Sequence, residues 1–309
     1  MELTPKIAQK RSFKKTFFFF CVGTLALYGF ASGFKILLGD NSSISRNKVA
    51  VVEVSGVISD SREIVQQIVD YRDNSSIGAI ILRIDSPGGA VGPSQEIYAE
   101  VLKTRKKKKI VASLGSVAAS GGYYVASSAS HIIANPGTLT GSIGVIMAFS
   151  NVEELIQKIG LKPMVIKAGK FKDAGSIVRP MLEEENLLLQ SVVDDVHMQF
   201  IEAISNGRKL SVEEVKKVAD GRIFSGRQAM EYKLVDQLGG FEDSLEYLQK
   251  VMGLTERPKV VFPEKETSLL DLILKNGWAG KLNQTLGQFS YPKLQFMMPL
   301  GLNFSSIDR

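Results

Sequence analysis

Histidine and cysteine are nearly missing from this chain, which contains two histidines and one cysteine in 309 residues. The single cysteine, Cys21, excludes a disulfide within the chain, so stability must come from the core and from any association between copies. The histidines are His131 and His197, and a mechanism that needs an imidazole base must use one of them. Lysine is therefore the natural alternative base for a nucleophile in this chain.

A strong excess of charge is also missing beyond the first residues. The net charge is +6, but residues 1–15 contain five basic residues and one acidic residue, which leaves a net +2 for the rest. So weak an excess gives little support for nucleic-acid binding. We expect no metal and no cofactor.

A long apolar run follows the basic start. No charged residue lies between Thr16 and Phe34, and a helix of that length, at ~1.5 Å per residue, would just cross a hydrocarbon core of ~30 Å. The sequence therefore predicts a basic cytoplasmic segment at 1–15 and a transmembrane anchor at 16–38, with the rest of the chain extracytoplasmic, or periplasmic in a two-membrane envelope. The alternative is a cleaved signal peptide, for which Gly29-Phe30-Ala31 offers a small-x-small site.

A polar linker at 39–47 precedes an α/β domain at 48–262, in which strand and helix patterns alternate. Continuous apolar runs indicate strands buried on both faces of a parallel sheet. The predicted strands are Lys48–Val54, Gly78–Ile84, Ile110–Leu114, His131–Ala134, Ile143–Phe149 and Lys259–Phe262. The predicted helices are 61–73, 93–108, 121–129, 151–160, 183–206, 211–219, 225–234 and 241–252. Residues 263–309 form an extension that could be a packing arm, an oligomer contact or a surface tail.

Ser120 lies in a segment that can present a hydroxyl group at the start of a helix. A β-type run precedes it, and Gly121, Gly122 and an alanine-rich helical stretch follow. The glycines allow a substrate backbone to come close, and the N–H groups at a helix start can hold an oxyanion. The pattern predicts Ser120 as a nucleophile.

Three further segments carry groups that could act with Ser120. Asp85–Gly89 ends a buried strand in Pro-Gly-Gly, which suits an oxyanion hole but also an ordinary turn. Thr138–Val145 is rich in hydroxyl groups and alone indicates a capping segment. Lys170 and Lys172 lie two apart among small residues, where a solvated loop is the usual interpretation.

Together and in this order, the segments resemble the signal peptide peptidase A family of membrane-bound serine proteases, in its short single-repeat form. The resemblance covers about residues 47–262. It implies a crotonase-like spiral of ββα units, a fold shared with the Clp protease subunit. The site residues that it implies are Ser120 as nucleophile, Lys172 as general base, Ser142 as the hydroxyl that orients the lysine, and Gly89 and Gly121 as oxyanion-hole donors.

The resemblance also implies substrates and partners. The substrates would be remnant signal peptides and other unfolded peptides, cut near the membrane by an anchored endopeptidase. It implies a homo-oligomer in which neighbouring subunits supply Ser120 and Lys172 to one site. A crotonase-type enzyme acting on acyl-CoA and a non-catalytic membrane scaffold are the alternatives.

The chemistry requires a neutral lysine. The reference pKa of a lysine is ~10.4, and burial in an apolar pocket lowers it by up to ~3–5 units. A histidine base is disfavoured by position. His131 would lie ~16 Å from Ser120 if a helix separates them, and His197 falls on a long helix away from its apolar stripe.

Overall fold

The computed structural model of the chain describes Thr24, residues 47–263 and residues 295–297. The chain divides into two units, 1–45 and 46–309, and the description below concerns the second. The anchor predicted at 16–38 lies outside the described residues except for Thr24, which is helical and exposed. In the described part of the chain, no helix combines the length and the apolar character that a membrane crossing requires.

Strands and helices alternate along the described residues. The strands are β1 (Lys48–Ser55), β2 (Ile77–Ser86), β3 (Gly88–Ala90), β4 (Lys109–Ala119), β5 (His131–Ala134), β6 (Leu139–Gly141), β7 (Ile223–Ser225), β8 (Gln237–Leu238), β9 (Lys259–Val261) and β10 (Gln295–Met297). The helices are α1 (Arg62–Asp73), α2 (Val91–Thr104), α3 (Gly121–Ser127), α4 (Glu153–Lys158), α5 (Glu183–Arg208), α6 (Val212–Lys216), α7 (Gly226–Glu231) and α8 (Phe241–Val251).

Eight strands form the main sheet, in the order β7-β6-β4-β2-β1-β9, with β5 beside β4 and β8 beside β5. The long strand β4 has two successive neighbours on one edge, because its first half pairs with β5 and its second half with β6. The predicted parallel pairing is correct throughout this sheet except at its β7 edge, where β6 and β7 run antiparallel. A second sheet consists of β3 and β10 alone, also antiparallel.

The apolar runs form strands because helices cover both faces of the sheet. On one face, Ile80, Leu82 and Ile84 belong to the main core, to which α2, α3 and α5 contribute. On the other face, Ile81 packs in a smaller core with Leu248 of α8. Burial on both sides favours continuous apolar sequence rather than alternation, and this is why these strands could be predicted.

The strand predicted at 143–149 is wrong. These residues make one isolated bridge, between Ile146 and Gln295, and the strand in this region is β6, before them. The backbone turns between the two, since Gly141 and Ser142 both have positive φ, 78° and 49°. Ile143 is buried in the core and Val145 packs against it only partly buried, while Ile146 is 42% exposed. The β-branched run therefore lacks the covering layers that would make it a strand.

Candidate active site

Ser120 is the single residue between β4 and α3, and its backbone is strained. Its φ and ψ are 54° and −117°, a region that residues with a side chain rarely adopt and that costs ~1–3 kcal/mol. Two backbone hydrogen bonds hold it there. The Ser120 N–H donates to the Gly141 carbonyl at 2.8 Å, and the Ser120 carbonyl accepts from the Tyr124 N–H at 2.8 Å. The hydroxyl therefore stands at the start of a helix, as the sequence predicted.

The Ser120 hydroxyl is buried and unpaired. The residue is 1% exposed, and its Oγ has no hydrogen-bond partner among the described residues. Buried polar groups are nearly always paired, so an unpaired one calls for an explanation. The hydroxyl is therefore available to form a hydrogen bond with a base or with a group of the substrate.

Gly89 and Gly121 lie side by side next to this hydroxyl. A Cβ added to Gly121 would lie 3.1 Å from the Gly89 nitrogen and 2.8 Å from Ser94 Oγ. A Cβ added to Gly88 would lie 2.7 Å from the Gly121 nitrogen. The first N–H groups of a helix have no partner inside the helix, so the start of α3 offers donors to an oxyanion.

The turn that carries Gly89 accepts only glycine. Gly88 has φ 102°, and its N–H donates to Ser86 Oγ at 3.1 Å. A Cβ on Gly88 would lie 2.0 Å from the Phe296 carbonyl oxygen, and a Cβ on Gly89 would lie 2.1 Å from the Ile58 carbonyl oxygen. The Ile58 N–H also donates to the Gly88 carbonyl at 2.9 Å. The strand β3 is thus clamped between two other backbone segments.

One of those segments is β10, which belongs to the extension at 263–309, for which the sequence left a packing arm, an oligomer contact and a surface tail open. Phe296 is paired with Gly89 in the β3–β10 ladder, and Gln295 exchanges two backbone hydrogen bonds with Ile146, at 3.0 and 3.1 Å. The Phe296 side chain is fully buried, with its ring 5.1 Å from that of Tyr124 and 4.6 Å from that of Phe200. Three residues in a stretch that contains Gly and Pro are too few to give a strand pattern. Their position beside β3 is therefore visible only in the structure.

Ser142 is far from Ser120 in the sequence, but one backbone hydrogen bond links Ser120 to the residue before Ser142. It follows Gly141, the residue whose carbonyl accepts the Ser120 N–H, and it is buried with positive φ. Its own N–H donates to the Arg222 carbonyl at 2.8 Å. The hydroxyl-rich segment thus forms one wall of the site.

Lys172 is the predicted site residue that the single chain does not bring to Ser120. It lies in a turn in which its N–H donates to the Gly169 carbonyl at 3.2 Å, and its side chain is exposed. Because Ser120 Oγ has no partner among the described residues, no hydrogen bond joins it to Lys172 Nζ.

Ion pairs fix the turn that carries Lys172. Asp173 pairs with Lys167 and with Arg179, and Arg179 in turn donates to both carboxylate oxygens of Glu185 at 2.6 and 2.9 Å. The hydrogen bonds from Arg179 hold the pKa of Glu185 below its ordinary value, and those from Lys167 and then Arg179 lower the pKa of Asp173. The turn is therefore anchored to the first turn of α5.

Neither histidine lies where a base for Ser120 must be. His131 is paired with Val111, near the end of β4 that lies away from Ser120. Its ring stacks on Tyr247 with centroids 4.0 Å apart, and burial lowers its pKa. His197 is half-buried on α5 and does not bond Ser120 Oγ. Among the described residues, no three His, Cys, Asp or Glu side chains could hold a metal ion.

Comparison with known proteins adds two family matches and several relatives. The sequence model of peptidase family S49 matches residues 103–255, and that of Clp protease matches residues 44–138. A Synechocystis sp. protein with the provisional name of a protease is 46% identical over 211 residues, which cover 68% of this chain and 76% of that protein.

Two other relatives carry more specific names. An Enterococcus faecium protein provisionally named signal peptide peptidase SppA is 33% identical over 246 residues, 75% of this chain and 72% of that protein. Protease 4 of Haemophilus influenzae is 30% identical over 262 residues, 80% of this chain but 42% of its own length. The described α/β fold with its mixed sheet agrees with the Clp protease match.

Proposed function

Since this chain belongs to peptidase family S49, the signal peptide peptidase A family, and is a serine protease, we propose that Ser120 and Lys172 form its catalytic dyad. The observation that carries the assignment is the backbone of Ser120, which holds a hydroxyl without a partner among the described residues at the start of α3, beside Gly89 and Gly121. Strain of this kind persists only where surrounding structure imposes it, and it concentrates at functional sites.

The proposed reaction needs a base, an oxyanion hole and a leaving-group acid. Neutral Lys172 takes the proton of Ser120 Oγ as the oxygen attacks the peptide carbonyl, and Ser142 orients the amine. The N–H groups of Gly89 and Gly121 hold the oxyanion, and each such donor contributes ~2.7–4 kcal/mol. Protonated Lys172 then gives its proton to the leaving amine, and water hydrolyses the acyl-enzyme.

We propose that Lys172 reaches Ser120 from a neighbouring copy of the chain. In the single chain its side chain is exposed, and Ser120 Oγ is unpaired among the described residues. We call the turn that carries Lys172 the lysine turn. The segment before it is apolar yet exposed, with Met164 at 88% and Ile166 at 95%. Assembly through such a surface would also desolvate Lys172, which is the condition for a neutral amine.

For substrate and place, we propose a membrane-anchored extracytoplasmic endopeptidase that cuts remnant signal peptides. The support is the basic start followed by the apolar run at 16–38, together with the name of the E. faecium relative. An anchor would keep the site near the bilayer, where cleaved apolar signal segments remain.

Hydrolysis of a synthetic signal peptide by the full chain in detergent tests the dyad. Ser120→Ala and Lys172→Met should each lower kcat by at least ~10³-fold, because nucleophile and base act as a unit. Lys216→Met, at a half-exposed lysine on α6, is the matched control and should keep full activity. Turnover that survives Lys172→Met would refute the dyad.

Mixed subunits test the shared site. Ser120→Ala and Lys172→Ala chains are each inactive alone, but co-expressed they should regain part of the activity, since some sites then combine an intact serine with an intact lysine. A silent mixture that assembles like the wild type would show that both residues come from one chain.

A further inference from the structure

We propose that the end of the main sheet at which its parallel strands begin docks on the anionic headgroups of the membrane. Five lysines from three stretches of the chain lie there, and we call them the basic end: Lys48, Lys106, Lys107, Lys109 and Lys259. The proposal rests on the proposed function, because it takes the chain to be anchored through residues 16–38. It adds the lipid class that the domain contacts and the surface through which the contact is made.

Three of these lysines are the first residues of strands. Lys48 begins β1 and pairs across the ladder with Lys259, which begins β9. Lys109 begins β4, and its partner Ala79 of β2 pairs in turn with Val49, the second residue of β1. Neighbouring strands lie ~4.8 Å apart, so the three backbones span ~15 Å across four strands. The pairing therefore brings to one end of the sheet three lysines that are far apart in the sequence.

The turn between α2 and β4 brings two further lysines to the same end. Lys106 and Lys107 lie in this turn, and both are exposed. The next residue, Lys108, fixes the turn, because its Nζ donates to the carbonyls of Tyr71 and Asn74 at 2.6 and 2.5 Å. Those carbonyls belong to the carboxyl end of α1 and to the connection that leads into β2. The two exposed lysines are therefore carried by a turn that the fold holds in place.

The positive charge of the basic end is mostly uncompensated. Within the part of the chain that the structure describes, Lys107 alone among the five lysines pairs with a carboxylate, that of Asp73, at 3.6 Å. Asp73 is itself shared, since it also accepts a hydrogen bond from Arg72 at 3.2 Å. Like charges at this spacing repel one another, and a surface of opposite charge removes that repulsion. The basic end is thus complementary in charge to an anionic membrane surface.

The connection to the predicted anchor brings the basic end within reach of a membrane. Strand β1 begins at Lys48, directly after the linker predicted at 39–47. The nine residues of the linker span ~30 Å at full extension, so this tether keeps the basic end close to the headgroups. Attraction between lysines and anionic lipid acts over about one Debye length, ~10 Å at 0.1 M salt. Nucleic acid, the other polyanion that binds lysine clusters, has no such connection to this end of the sheet.

Fluorescence quenching by lipid tests the contact in the full chain. A fluorophore is attached at position 75 of a chain that carries Ser75→Cys and Cys21→Ser. Ser75 is exposed and follows Asn74, so the label lies beside the turn that carries the lysines without replacing one of them. The chain is reconstituted in vesicles that contain headgroup-spin-labelled lipid, with phosphatidylcholine alone or mixed with phosphatidylglycerol. Quenching should be about twofold stronger in the anionic vesicles, and the difference should disappear at high salt.

Charge reversal at the basic end makes the test specific. Lys106→Glu combined with Lys109→Glu should make the quenching equal in the two kinds of vesicle, because both exposed lysines then repel the headgroups. Lys216→Glu combined with Lys217→Glu, at the end of α6, is the matched control, since it carries the same change of charge and should keep the difference. If charge reversal prevents folding, Lys106→Gln with Lys109→Gln decides, and it should reduce the difference.

The outcomes separate the inference from the proposed function. Equal quenching in both kinds of vesicle, by a chain that alkaline extraction leaves in the membrane, would overturn the inference and keep the anchor. A difference that survives the charge reversal would overturn it too, because other groups would then make the contact. DNA binding that the charge reversal abolishes, with no effect of the lipid, would assign the basic end to nucleic acid instead. Extraction of the chain from every kind of vesicle would refute the anchor itself, on which the inference rests.

Discussion

Ser120 combines a strained backbone with a buried hydroxyl, and both should cost stability. We predict that Ser120→Gly raises the free energy of unfolding by ~1 kcal/mol, because glycine adopts positive φ without strain, and that it abolishes hydrolysis. Denaturant unfolding and peptide turnover measure the two effects. Lys209→Gly is the control, since Lys209 has φ 56° at the exposed end of α5. It should stabilise the chain without loss of activity. A Ser120→Gly chain less stable than the wild type would contradict the prediction.

The contact between Gly121 and Gly89 allows a second test at single residues. In Gly121→Ala the methyl group would lie 2.8 Å from Ser94 Oγ and 3.1 Å from the Gly89 nitrogen. It should displace the two proposed donors and lower kcat by ~10²–10³-fold. Gly92→Ala, for which nothing lies within 4 Å, is the control and should gain ~0.5–1 kcal/mol of stability in α2. Undiminished kcat in Gly121→Ala would exclude this N–H as a donor.

These residues also show what single positions in a sequence can predict. Ser120 and Gly121 were predictable because a strand, a serine and two glycines specify the local turn with little help from the rest of the fold. Phe296 was not, since its burial depends on rings of α3 and α5 far away in sequence. The exposure of Lys172 in the single chain agrees with the solvated loop that its segment alone indicates, but the residue pattern does not say from which copy a residue acts.

At the scale of elements, Arg179 joins the lysine turn to the buried Glu185 of α5, and a more exposed pair of Lys170 with Glu184 adds a second link. We predict that Arg179→Gln lowers the melting temperature at pH 7, because Glu185, whose side chain is 1% exposed, loses its cationic partner and keeps only the hydrogen bond from the Leu182 N–H. The pKa of Glu185 is depressed below 4.5, so this stabilisation is complete above pH 4.5 and is lost as the pH falls below it. The difference in melting temperature between the wild type and Arg179→Gln should therefore become smaller toward pH 3.

A matched surface pair controls for charge alone. Arg62→Gln breaks a pair with Asp60 in which the arginine side chain is 89% exposed, and exposed pairs contribute little. It should leave the melting temperature at pH 7 unchanged. Equal effects of the two substitutions would mean that the Arg179 network does not hold the turn.

Elements differ in how far sequence predicts them. The long strands β1, β2 and β4 follow from apolar runs, and the N-caps of α6 and α7 follow from Ser211 and Ser225, whose hydroxyls accept from the N–H of the third helical residue. The three-residue strands β3, β6, β7 and β10 were missed, because such short strands are defined by their partners and not by a pattern of their own. They are also the strands that surround Ser120.

At the scale of the whole molecule, the apolar segment before the lysine turn is exposed in a single chain and would be covered in an assembly. We predict that Ile166→Glu leaves the thermal stability of the single chain unchanged, because Ile166 is already 95% exposed. It should nevertheless abolish assembly and hydrolysis together if this surface joins copies and brings Lys172 to the next Ser120. Sedimentation velocity and peptide turnover on the same sample measure both. Val251→Glu, at a 42% exposed residue of α8, introduces the same charge elsewhere and should affect neither. Full activity in a monomeric Ile166→Glu chain would place the whole site within one copy.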